Sequence, residues 1–498
     1  MAATTVVSEG AAVSPEARSG LDPWTRAELP VPPSPRGLGW LSVVGPGVIV
    51  LGASIGSGEF LLGPAAFVRH GLSLLWVTGI AIFLQTIFNT ECMRYTVATG
   101  EPVYTAFMRT RPSATAWGWF YGALHVLQIG WPAWAANAAG AIFFLAARRL
   151  ATPNDAAIVY YIGIGTFLLC VAILLVGRRI EQTLELLNWI LVVCILGAFA
   201  VLAALFVNAG TWLSATAGYV GFDTQNARFD LLPSGADFFL LGALVAYSGM
   251  GGVGNITLSN WARDKGYGMG SRVGYIGSAL ASETVGLAPN GFMFSPDAEG
   301  QRRWRGWWRI VRADQWGVFF VGAMLGMVLP AVLYVTFLPR GSDIRGISIS
   351  AALASAVGDR AGPLFAGAIA FLGAWILFKT QLDNIEAMVR AVTDILWTRS
   401  DRVRRWRNGD VRAVYYAVLA VVSLWGIIAI RLAQPIVLLQ IGANIAGVVF
   451  VVASLHLLYV NTRLLPRELR PPPWRRVALV AMALFYGFFV ALSASTLR

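Results

Sequence analysis

Between about Leu41 and Leu492 the chain carries eleven long apolar stretches separated by polar connections. Each approaches or exceeds the roughly 20 residues that take a helix across a bilayer core. In lipid every backbone N–H and C=O must be satisfied inside the protein, so runs of this length read as membrane-spanning helices. Composition agrees, with 57% hydrophobic and 13% charged residues against about 25% charged in a soluble domain. The predicted class is an all-α, multi-pass membrane protein of about eleven transmembrane helices.

The spans fall near 41–68, 72–98, 116–146, 157–176, 184–207, 236–261, 316–338, 349–392, 414–430, 436–459 and 477–492. Residues 1–38 are rich in Ala, Ser, Pro and Glu and lack an apolar signal segment, so a disordered cytoplasmic tail is expected ahead of one transmembrane domain, 39–498. Arginines cluster at Arg109 and Arg111, Arg178 and Arg179, 302–312, 402–412 and 463–476, on alternate connections. The positive-inside rule then places the N-terminus in the cytoplasm, in a plasma membrane of bacterial type. The net charge of +12 belongs to those connections and does not call for nucleic acid. Arg and Trp alternate over 302–312 inside the long cytoplasmic connection, about 263–315, and predict an amphipathic helix lying on anionic headgroups. Cys92, Cys170 and Cys194 sit in apolar spans without paired spacing, so neither a disulfide framework nor a zinc site is indicated.

Two spans are interrupted. The first holds Gly52, Gly56 and Gly58 with Ser54, Ser57 and Glu59, and the sixth runs Ser248-Gly249-Met250-Gly251-Gly252-Val253-Gly254-Asn255. Glycine weakens a helix interior by about 0.5–1 kcal/mol relative to alanine, so both stretches invite the backbone to unwind. They lie five spans apart, an odd number, which inverts a second set of five (about 236–460) relative to the first (about 41–207). Paired interruptions in inverted halves point to a secondary transporter's binding site. Its candidate substrate-binding residues are Gly52, Ser54, Gly56, Ser57, Glu59, Gly249, Gly252 and Asn255, with Gln440 and Asn444, four apart on span 10. Glu59 and Asn255 are the candidate metal ligands.

Each has a plainer reading. The glycines serve close helix packing, Glu59 salt-bridges an arginine, and Asn255 caps the second half-helix. Coupling candidates are Glu91, His125, Asp383 and Glu386. Glu91 stands three residues from Arg94, as in a structural ion pair, and His125 is equally a satisfied core residue. Asp383 and Glu386 share a helix face. They either mark the cytoplasmic end of span 8 or face a cavity with Lys379 as a built-in cation. Trp131-Pro132 predicts a kink in span 3.

Gly45-Pro46-Gly47, the break that follows, Leu74-Leu75-Trp76, and Arg94 with Thr99-Gly100 resemble the corresponding parts of Nramp-type metal transporters, as a divergent branch. The resemblance implies the inverted five-plus-five fold of the amino acid–polyamine–cation superfamily, the LeuT-type fold. It also implies that the first-span motif Asp-Pro-Gly-Asn falls on Gly56-Ser57-Gly58-Glu59, and the sixth-span Met-Pro-His-Asn on Gly252-Val253-Gly254-Asn255. The metal-binding aspartate is then replaced by Gly56 and the methionine by Gly252. An acidic pair on span 3 falls near Trp134 and Asn137, neither of which titrates. Loss of the thioether favours hard ions bound by oxygen. The expectation is a transporter of a hard divalent cation such as magnesium or manganese, with no cofactor and no catalytic motif. The rivals are a carrier of a small organic solute, an amino acid or amine, and a non-transporting sensor or scaffold.

Overall fold

A computed structural model describes residues 21–175, 180–277, 287–344, 349–432 and 434–496. Arg178 and Arg179 lie outside the described residues. Among those described, ten helices are long and apolar enough to cross a membrane. An eleventh crossing, span 6, comes as two shorter helices, Phe238–Ala246 and Gly252–Asp264. Span 1, Pro46–His70, is buried along its whole apolar window, whereas spans 4, 5, 9 and 11 turn most of theirs outward. The bundle is organised around span 1.

One boundary falls as expected and one does not. Span 3 divides into Ala114–Ile129 and Ala133–Ala147 at Trp131-Pro132, as the proline requires. The carbonyl freed there, Gly130, accepts the Trp425 indole N–H at 2.8 Å. The stretch read as span 8 is two helices, because Gly362 turns the chain at φ +92°. Ile349–Ala361 packs on Pro363–Arg399, and only the latter makes the crossing.

The first span is not unwound. Its α-helix widens into a π-helix over Ile55–Leu62 and resumes at Gly63. A second π-helix, Ala313–Phe320, joins the amphipathic helix Ala298–Arg312 to Val321–Phe337 without a break. Contrary to expectation, the tryptophan face of that amphipathic helix lies on protein. Trp304 and Trp307 are buried, Trp304 stacks on Phe294, and the Arg94 guanidinium sits 4.2 Å from the Trp308 ring centre. Arg302, Arg305, Arg309 and Arg312 form its exposed stripe.

The expected disordered tail is also corrected for residues 21–36. Trp24 and Leu29 are buried, and Thr25–Arg26 pairs in parallel with Phe292–Met293. The Asp22 carbonyl accepts from Arg109 at 2.8 Å, the Leu29 carbonyl from Arg303 at 2.7 Å, and the Pro30 carbonyl from Trp307 at 2.8 Å. Beneath this strap the Glu101 carboxylate takes hydrogen bonds from Arg109, Tyr95 Oη and Gly291 N.

Candidate functional site

Span 1 touches four other spans in and just before its π-helical segment, and small residues make each approach. A Cβ on Gly52 would lie 1.6 Å from Asn188 Oδ1 of span 5, and one on Gly56 would lie 2.2 Å from Thr380 Oγ1 of span 8. One on Gly58 would lie 2.0 Å from the Tyr247 carbonyl oxygen, where span 6 breaks. Ser57 Oγ accepts the Trp134 indole N–H of span 3 at 2.9 Å and donates to the Ala53 carbonyl at 3.3 Å. The close-packing reading therefore holds for these glycines. The position where the resemblance puts the aspartate ligand, Gly56, is filled by Thr380.

Glu59 differs from its neighbours. It is fully buried and sits against span 7, where a Cβ on Gly326 would lie 3.7 Å from its Cγ. Neither carboxylate oxygen accepts a hydrogen bond, and no arginine or lysine pairs with it among the described residues. Ser54 stands beside the carboxylate but gives its hydroxyl hydrogen to the Leu51 carbonyl at 2.8 Å. Among the described residues the salt-bridge reading of Glu59 does not hold.

The break in span 6 covers Tyr247–Gly251, with Gly249 at φ +128°, Gly251 at +85° and Gly252 at +40°. Left-handed backbone of this kind requires glycine. Two glutamines take over the unpaired peptide groups. Gln85 Nε2 of span 2 donates to the carbonyls of Ala246 at 3.3 Å and Ser248 at 3.0 Å. Gln128 Nε2 of span 3 donates to the Gly251 carbonyl at 3.1 Å, while its Oε1 accepts from Val253 N at 2.9 Å. Gly249 leaves room for Gln85 and Gly252 for Gln128, so the expected methionine position is also filled. Asn255 is not a cap, because Gly251 holds the N-cap position. Its Nδ2 donates to Asn89 Oδ1 at 2.9 Å, and its Oδ1 has no partner among the described residues.

The coupling candidates separate. Glu91 binds Arg94 at 2.7 Å and Arg475 at 2.9 Å and is a structural ion pair. His125 Nδ1 meets the Tyr121 carbonyl at 2.8 Å and Nε2 meets Tyr104 Oη at 2.9 Å, so it is a satisfied core residue. The Tyr104 hydroxyl, on the short helix Val103–Met108, also stands 2.8 Å from the Val253 carbonyl and so brings His125 of span 3 close to the break. Asp383 and Glu386 do not mark a helix end, since span 8 continues to Arg399 and both are fully buried. Asp383 pairs with Lys379 and lies 3.4 Å from Asn188 Nδ2. Glu386 pairs with Arg390 and accepts the Trp261 indole N–H at 2.7 Å. Asn444 donates to the Phe239 carbonyl at 3.0 Å and accepts from Ser493 at 2.5 Å, which fastens span 10 to spans 6 and 11 rather than to span 1. Gln440 is buried, with Nε2 unpartnered among the described residues. Trp134 serves Ser57 as above, and Asn137 Nδ2 donates to the Ala133 carbonyl at 2.8 Å.

Span 1 is anchored by a residue that sequence reading passed over. The Asp314 carboxylate accepts from Gly45 N and Gly47 N, both at 2.8 Å, and from Gln315 Nε2 at 2.8 Å. It caps the first helix from the second π-helix. Among the described residues no group of three or more His, Cys, Asp or Glu side chains is placed to hold a metal ion. On the two interrupted spans the buried side-chain oxygens without a hydrogen-bond partner among the described residues are those of the Glu59 carboxylate and Asn255 Oδ1.

No protein-family signature and no curated protein matches the sequence. Solved structures do. A variant of the Eremococcus coleocola manganese transporter superposes with a TM-score of 0.62 at 15% identity, covering 95% of this chain and 89% of that one. A second variant gives 0.61 at 16% identity with the same coverage. The complex of that transporter with an aromatic bis-isothiourea compound gives 0.58 at 15% identity, covering 92% and 89%. The fold is shared. The chain thus has the inverted five-plus-five architecture, with the two interrupted spans meeting at Gly58 and Tyr247.

Proposed function

We propose that the chain is a secondary transporter that carries a hard divalent cation across the membrane, with Glu59 as its central carboxylate. One observation carries this reading: a fully buried carboxylate, on a π-helix packed against a broken helix, with no partner among the described residues. Burying an unpaired carboxylate is expensive, and such groups pair, bind a cation or take up a proton. π-Helical turns inside α-helices frequently mark functional sites. The oxygen donors available suit magnesium or manganese better than softer ions. In this reading two inverted halves rock about the junction, and the arginine-rich connections put the N-terminus on the cytoplasmic side of a bacterial-type plasma membrane.

Uptake of magnesium, manganese and calcium into proteoliposomes, with and without a pH gradient, tests the proposal. Saturable uptake of one of them, lost in Glu59→Gln, is expected. No uptake of any of the three by folded wild-type protein would sink it. Uptake of an amino acid or amine under the same conditions would make Glu59 the partner of an organic ammonium instead.

A further inference from the structure

Spans 10 and 11 pack on each other, and their arginine-bearing ends enclose a groove of about 670 Å³. Three arginines line it: Arg463, the last residue of Pro435–Arg463; Arg470, in the connection; and Arg476, in the first turn of Pro473–Ser495. Arg470 Nε donates to the Leu465 carbonyl at 2.9 Å and Arg476 Nε to the Pro471 carbonyl at 2.8 Å. Those bonds steady the two side chains while none of the three arginines has a carboxylate partner among the described residues. The neighbouring basic cluster behaves differently, with Arg404 paired to Asp401 and Arg412 to Asp410. Arg475, next in sequence, is taken up by Glu91. The groove therefore brings together three arginines that no carboxylate neutralises among the described residues.

The rest of its lining is Thr462 and an apolar wall of Leu458, Val477 and Val480. Exposed apolar side chains continue from that wall along both helices, Leu455 and Tyr459 on span 10 and Leu484 on span 11. A ligand matching this surface carries an anionic group for the arginine fork and a hydrocarbon chain for the strip below it. Guanidinium groups bind phosphate oxygens in paired hydrogen bonds and stay charged at any physiological pH. Basic pockets between membrane helices, at the interface, suit phospholipid headgroups.

We propose that this groove is a binding site for one anionic phospholipid, its phosphodiester held by Arg463, Arg470 and Arg476 and an acyl chain lying on Val477, Val480 and Leu484. A free inorganic anion would use the arginines and leave the apolar strip bare. The site is separate from the span 1–span 6 junction and does not depend on what is transported.

Native mass spectrometry of the full chain in detergent, offered equal phosphatidylglycerol and phosphatidylcholine of the same chain length, tests it. The wild type is expected to retain phosphatidylglycerol at least fivefold over phosphatidylcholine. Arg463→Gln with Arg476→Gln is expected to bring the ratio near one, while Arg305→Gln with Arg405→Gln leaves it unchanged. If the double groove variant is not recovered folded, Arg470→Gln alone is expected to lower the ratio at least twofold. An excess of inorganic phosphate is expected to leave the lipid bound. Equal retention of the two lipids by the wild type, an unchanged ratio in the groove variants, or displacement of the lipid by inorganic phosphate would each overturn the assignment.

Discussion

Gly58 of span 1 faces the carbonyl oxygen of Tyr247 so closely that a Cβ there would lie 2.0 Å from it. The contact joins the π-helical turn of the first span to the break in the sixth, and both partners are backbone. Neither side can yield by turning a side chain. Gly58→Ala is therefore expected to destabilise the protein by at least the 1–3 kcal/mol typical of overpacking. Gly122→Ala, in span 3 with nothing within 4 Å of its Cβ, should be neutral or stabilising by about 0.5–1 kcal/mol. Thermal unfolding of the two variants in detergent compares them directly. Equal midpoints would mean that the junction is loose.

Glu59 supports a prediction of opposite sign. Its buried carboxylate has no partner among the described residues, so Glu59→Gln removes a desolvation penalty without breaking a contact. The variant should unfold at the same temperature as wild type or higher, and lose the stabilisation that a bound cation gives. A ligand at 100 times its Kd adds about 2.7 kcal/mol. Thermal shifts with magnesium or manganese should therefore appear in wild type and vanish in Glu59→Gln. A large fall in stability without ligand would show instead that Glu59 holds the fold together.

The legible parts of this chain were those that lipid dictates. Apolar length marked the spans, and the paired glycine interruptions at Gly56–Gly58 and Gly249–Gly252 marked the junction. What glycine content does not encode is the form of the interruption. The same weakening lets the first span widen into a π-helix and the sixth open into left-handed turns, and neighbouring side chains decide between them. Gln85 and Gln128 supply partners for free peptide groups only at span 6. Both glutamines stand in apolar spans, where an uncharged polar residue is itself a signal, but their targets lie 163 and 123 residues away. Asp314 was hidden for the same reason, since its partners Gly45 and Gly47 are 269 and 267 residues distant. The strap over 21–36 was missed because composition describes a segment's own core-forming capacity and not the groove that receives Trp24.

Asp314 fixes the start of span 1 through two backbone N–H groups. Hydrogen bonds to a charged acceptor contribute about 1.5–3 kcal/mol, and leaving buried donors unmatched costs about 1–3 kcal/mol each. Asp314→Ala should lower stability by roughly that amount, and Asp314→Asn, which keeps one acceptor oxygen, by less. Urea or thermal unfolding of the pair ranks them. Equal stability of Asp314→Ala and wild type would show that water replaces the cap.

Glu101 gives the pH test, because it lies outside the spans. Burial alone would raise its carboxyl, but the Arg109 charge and hydrogen bonds from Arg109 and Tyr95 outweigh burial and hold it below the usual carboxylate range. A carboxylate depressed in the folded state contributes stability that is complete above its unfolded value, about 4.3 for glutamate, and is lost as pH falls through the lower folded value. Glu101 binds Arg109 and Gly291, and Arg109 also binds Asp22, so that loss should reach the strap carrying Trp24. The stability difference between wild type and Glu101→Gln should be constant at neutral pH and shrink below about pH 4. Intrinsic fluorescence compared between wild type and Trp24→Phe should report release of the strap over the same interval. A difference that persists undiminished into strong acid would mean that Glu101 acts by shape and not by charge.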